Sequence, residues 1–129
     1  MDKYPHLKTE FSTSSIIDEI ESVASECSEP NWNGYQSEPI GDEAVRNAKN
    51  LVSHFPENIA QPDIVPEPDG SIGFEWDVEQ DKWMIVSVDD KGNIYFAVKF
   101  DENSKTDGKI DFNEEKIGMM FSNLKIIQK

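Results

Sequence analysis

Positive charge is what this sequence has least of. Twelve lysines and arginines stand against 26 aspartates and glutamates in 129 residues, for a formal net charge of −14. The shortage is local. Between Thr9 and Asp81 only Arg46 and Lys49 offset 17 acids, whereas from Lys82 to Lys129 eight acids meet eight bases. The early segments have no track of lysines and arginines to follow a phosphate backbone, which disfavours direct binding to nucleic acid or to an anionic membrane. A single cysteine, Cys27, excludes an internal disulfide and a cysteine-rich zinc site. The two histidines, His6 and His54, have no nucleophile or metal-ligand companion at motif spacing, and no glycine-rich phosphate loop is present. No apolar run approaches the ~18 residues of a membrane span, and Met1–Lys8 has no apolar h-region. A soluble cytoplasmic protein without cofactor or metal is the expectation.

The apolar residues that are present fall into periodic segments, which argues for a packed core despite the high charge. The length suits one domain. Residues 1–12 read as a flexible N-terminal tail and 13–129 as a single α+β domain. A helix is expected to begin at Thr13–Ser15, where Ser15-Ile16-Ile17-Asp18 has the capping-box pattern. Ile16, Ile17, Ile20, Val23, Ala24 and Cys27 share one helical face, with Asp18, Glu19, Glu21 and Glu26 outside it. Pro39 to Phe55 repeats the design, with Asp42 and Glu43 in the first turn and Arg46 and Lys49 after them, the order that suits the helix dipole. Asp63–Val65 is an edge-like segment bracketed by prolines, and Pro68-Asp69-Gly70 is a turn. Ser71–Asp77 alternates Ile72, Phe74 and Trp76 against Gly73, Glu75 and Asp77. Lys82–Val88 and Asn93–Phe100 follow as strands, Lys109–Phe112 supplies a fourth, and Asn113–Ile127 closes with a helix. The expected architecture is two N-terminal helices and a C-terminal helix packed on an antiparallel meander of about four strands.

Asn31-Trp32-Asn33-Gly34-Tyr35, Pro39-Ile40, Pro68-Asp69-Gly70 and Glu75-Trp76 occur in an order and spacing that resemble a group of small, largely uncharacterised bacterial proteins. These carry an Asn-Trp-(Asp/Asn)-Gly-Tyr loop, a proline-led helix and a Pro-Asp-Gly turn followed by a strand ending in Glu-Trp. The resemblance spans about Pro30 to Val98. It implies that Asp often stands where this chain has Asn33, and a small residue where it has Gln36. It implies no particular activity.

Function is therefore read from residue chemistry. Trp32 and Tyr35 flank an Asn-Gly turn, and each has a large apolar body with a polar tip. The ordinary reading is that the rings pin the crossover between the two helices. The functional reading leaves them partly exposed beside Glu75 and Trp76 as interface anchors. Cys27 lies on an apolar stripe and reads as packing.

The leading expectation is a non-catalytic acidic module that binds, and inhibits or neutralises, a basic protein, in the manner of an antitoxin, immunity or anti-defence protein, DNA mimicry included. Asp18, Glu19, Glu26, Asp42, Glu43 and Glu75 would supply the field, and Trp32, Tyr35 and Trp76 the anchors. One alternative is a calcium- or ligand-binding loop at Asp101–Glu114. Asp107-Gly108, Ile110, Asp111 and Glu114 there match EF-hand places, although Lys105 falls where a ligand belongs and a hairpin turn at Asp107-Gly108 explains the same letters. A third reading is an enzyme built on Glu75 and Asp77, which share a strand face.

Overall fold

The computed structural model describes residues 10–128; His6 and most of the expected tail lie outside them. Three helices, α1 (Thr13–Glu26), α2 (Asp42–Val52) and α3 (Glu114–Ile127), accompany five strands, β1 (Asp63–Pro66), β2 (Ile72–Glu79), β3 (Lys82–Val88), β4 (Ile94–Asp101) and β5 (Ser104–Ile110). The strands form one antiparallel meander in the order β1-β2-β3-β4-β5, so the edge segment at Asp63 makes the sheet five-stranded rather than four.

Local chemistry sets the helix ends. Ser12, not Ser15, caps α1: its hydroxyl accepts from the Ser15 amide at 3.4 Å. Asn113 caps α3 by accepting from the Lys116 amide at 2.9 Å. The second helix is shorter than its apolar periodicity suggests. Ser53 to Phe55 tighten into a final turn in which the His54 and Phe55 amides reach back to the Leu51 and Val52 carbonyls, and Pro56 follows. Residues 10–12 are tethered rather than loose: the Phe11 amide donates to the Ile59 carbonyl and the Ser12 amide to Gln61 Oε1.

All helices lie against one face of the sheet. Ile72, Phe74, Trp76 and Val78 from β2, Met84, Val86 and Val88 from β3, and Ile94 and Val98 from β4 are buried there. They meet Ile16 and Ile20 of α1, Ala44, Ala48 and Leu51 of α2, and Ile117, Phe121 and Leu124 of α3. Phe55 sits among Phe11, Phe74, Trp76 and Phe121 with ring centroids 5.1–5.9 Å apart. Cys27 is buried in this core, and burial together with the neighbouring Glu26 charge pushes its thiol pKa up.

The C-terminal hairpin corrects one expectation. The turn is at Glu102-Asn103, where the Asp101 carboxylate accepts from the Asn103 amide at 2.8 Å. Asp107-Gly108 lies in mid-strand. Gly108 pairs with Phe96, and a Cβ there would stand 2.9 Å from Phe96 Cε1, so the glycine makes room for a ring instead of a bend. Ser104–Ile110 is extended, and its alternate residues point to opposite faces. Half of the segment read as a calcium loop, Ser104–Ile110, is therefore a strand.

Candidate partner-binding cleft

The loop between α1 and α2 is built by its own side chains. Asn31 Oδ1 accepts from the Gln36 amide at 2.6 Å and Asn33 Oδ1 from the Tyr35 amide at 2.8 Å. The buried Ser37 hydroxyl accepts from the Asn33 amide at 3.2 Å. Three residues adopt left-handed backbone: Asn31 at φ 63°, Gly34 at 80° and Gln36 at 63°. Asparagine tolerates this region and glycine suffers no penalty there, but glutamine does.

Trp32 packs half-buried against the core, and its indole Nε1–H donates to the Glu38 carbonyl at 2.6 Å. The Glu38 amide in turn donates to the Pro68 carbonyl at 2.7 Å, and the Ile40 amide to the Cys27 carbonyl at 2.8 Å. Trp32 thus pins the crossover to the turn between β1 and β2. Tyr35 behaves differently: it is 86% exposed at the loop tip.

Topology brings a third segment to the same place. In a meander, the β1–β2 and β3–β4 turns emerge at one end of the sheet. The Asn47 side chain of α2 donates to the Asp89 carbonyl of the second turn at 3.0 Å, which holds the middle of the helix beside that turn. Between them opens a cleft of about 550 Å³ lined by Glu38, Pro39, Gly41, Asp42, Glu43, Asp69, Gly70 and Asp90. Five of these eight residues are acids and none is a base. Asp42 and Glu43 offset the positive end of the α2 dipole, and Gly41 adds no side-chain cap. Glu43 also pairs with Arg46, but that pair is exposed and adds little stability. Among the described residues no group of three acids, histidines or cysteines converges closely enough to hold a metal ion. Carboxylates spread around an opening suit several separate cationic groups.

Asp89 stiffens the β3–β4 turn. It accepts from the Lys91 and Asn93 amides at 2.9 and 2.8 Å and from Asn93 Nδ2 at 2.9 Å. Burial alone would push its pKa up, but these hydrogen bonds outweigh it and leave the pKa below the ordinary value.

The other residues picked out from the sequence are divided among separate places. Asp18, Glu19 and Glu26 ride on α1, whose Glu21 reaches Lys49 of α2 at 2.5 Å. Trp76 is 1% exposed and donates its indole N–H to the Ala60 carbonyl at 2.7 Å; it belongs to the core and offers a partner nothing. Glu75 points from the sheet face away from the helices, so it does not stand with Trp76. Burial, then Asp77 and Asp63, raise its pKa. His54 Nδ1 lies 2.9 Å from the Asn50 carbonyl at the end of α2. Glu38, Asp69 and Asp90 were not singled out from sequence. Their only signal is that both turns are acidic, and the register that joins them is a property of the sheet.

Comparison with family models, curated proteins and solved structures gives no match. The reading of the cleft rests on its geometry and chemistry.

Proposed function

We propose that the protein is an acidic interaction module whose cleft receives the lysine and arginine side chains of a basic protein. The carrying observation is the convergence of Glu38, Asp42, Glu43, Asp69 and Asp90 on one opening with no cation in its lining among the described residues. A concentration of like charge in a concave site focuses the field and speeds encounter with an oppositely charged surface. Tyr35 projects from the loop that Trp32 anchors to Glu38, and an exposed aromatic near the charged groups supplies the contact that charge alone lacks. Occupation of a partner's basic surface would block that surface, which is how such a module would neutralise its partner. Among the described residues no helix is long and apolar enough to cross a membrane.

Amide NMR titration with an oligolysine peptide tests this. The expected result is shifts concentrated at residues 38–43, 69–70 and 90, with affinity falling as salt rises. Shifts distributed over α1, α3 and the sheet in proportion to exposed acid would refute the cleft as the site.

A further inference from the structure

The sheet face away from the helices is not an ordinary solvated surface. Outward positions of a one-sided antiparallel sheet are usually polar. Here the register places Val65 of β1, Trp83 and Ile85 of β3, and Tyr95 and Ala97 of β4 outward together. Tyr95 is 43% exposed. Charge on this face is segregated. Asp77 and Glu75 project from β2, and Glu67 folds across Gly73, where a Cβ would stand 3.4 Å from its carboxyl carbon. On the other side of β3 lie Lys99, Lys105 and Lys109, with Asp107 between the last two. The ammonium groups of Lys105 and Lys109 sit over the Trp83 and Tyr95 rings at 5.6 and 5.8 Å.

We propose that this face binds a second copy of the chain, as a symmetric dimer whose two-fold axis runs along β3 between the facing sheets. The symmetry follows from the charge pattern. An axis across the strands would lay acid on acid throughout, whereas an axis along β3 lays β2 over the partner's β4 and β1 over its β5. Asp63, at the level of Asp107, is the exception that still meets an acid. Levels along the strands are preserved by that rotation. Asp77 and Lys99, which both pair with Trp83, therefore meet across the interface twice, once on each side of the axis. Glu67, beside Gly73, comes to the level of Tyr95 and Lys109. Ile85 lies near the axis at the centre of the apolar stripe. Lys99 is 3.7 Å from Asp81 within its own chain, a loose pair that leaves it able to take a second acid. Glu67 Oε1 has no hydrogen-bond partner among the described residues, and burial, ahead of the Asp69 and Glu75 charges, raises its pKa despite the Ser87 hydroxyl. A lysine brought over it would relieve both conditions. Two such faces stack as a sandwich with helices outside, an isologous contact that closes on itself.

Sedimentation equilibrium at physiological salt, over protein concentrations on the order of 10 to 500 µM, tests the proposal with a charge swap. Wild type should dimerise. Asp77→Lys alone and Lys99→Glu alone should each weaken dimerisation at least tenfold, because like charges then face each other twice. An equimolar mixture of the two variants should recover the dimer as a heterodimer. The pair Glu67→Lys and Lys109→Glu repeats the test at a second contact should either first variant fold poorly. A monomer throughout the range, or a mixture no more associated than its components, overturns the proposal.

Discussion

Replacing Trp32 by phenylalanine distinguishes a residue that holds the fold from one that holds a partner. The substitution keeps an aromatic ring in the core-facing position but removes the donor to the Glu38 carbonyl, a bond of 2.6 Å. Loss of that hydrogen bond should cost about 0.5–1.5 kcal/mol net, since water can reach the exposed Glu38 carbonyl in its place. The half-buried indole also loses its second ring; if ~40 Å² of apolar burial goes with it, a further ~1 kcal/mol is lost at ~25 cal/mol per Å². The expected destabilisation is about 2 kcal/mol. In urea, with a slope of about 1.5 kcal/mol/M for a domain of this size, the midpoint should fall by about 1.3 M with the slope unchanged. The melting temperature should fall by about 7 °C. Oligolysine affinity, measured well below the melting transition, should change less than about twofold, a difference of ~0.4 kcal/mol. Unaltered stability with abolished binding would refute the assignment of Trp32 as a pin and make it an interface anchor.

Gln36→Gly should stabilise the protein by about 0.5–1 kcal/mol, because it removes the left-handed strain at φ 63° at the cost of some unfolded-chain entropy; urea titration checks it, and destabilisation would refute it. Glu67→Gln should raise stability at pH 7 by a few tenths to about 1 kcal/mol after allowance for solvent screening. The sign follows from linkage: a folded pKa raised by burial means that the wild-type contribution is fully present below the unfolded carboxyl value and is lost as pH rises through the folded one. The two proteins should therefore converge in acid, and a constant difference from pH 3 to 8 would contradict this. Asp89→Asn should act in the opposite sense, costing about 1 kcal/mol at neutral pH with the difference fading as pH falls through the depressed folded pKa of Asp89. Tyr35→Ala should leave the urea midpoint unchanged, as its 86% exposure requires, while weakening oligolysine binding severalfold.

The helices were readable because their apolar residues recur at helical spacing: the stripe Ile117, Met120, Phe121, Leu124 and Ile127 is buried as a unit. β2 was readable because Ile72, Phe74 and Trp76 alternate with residues of the other face. The same alternation shows Trp76 to be inward, and it is the assignment of that residue to a surface that failed. Asp107-Gly108 misled because glycine has two uses in a hairpin, bending the chain and admitting a neighbouring ring, and sequence does not say which. Only Phe96 on the adjacent strand decides it. The acids of α2 were legible as a first-turn cluster, but Asp69 and Asp90 reach them through antiparallel register and the Asn47–Asp89 tether, long-range pairings that local composition does not encode. The loop at Trp32 and Tyr35 answers to both readings at once. One ring fixes the backbone, and the other is free.

Calorimetric titration of an oligolysine peptide into two variants of equal charge tests the central claim most directly. One variant carries Asp42→Asn, Asp69→Asn and Asp90→Asn in the cleft; the other carries Glu102→Gln, Glu114→Gln and Glu115→Gln on the exposed surface elsewhere. If the cleft is the binding site, the first should lose at least tenfold in affinity, about 1.4 kcal/mol, and the second less than about twofold. Equal losses from both would show that the attraction belongs to net charge alone.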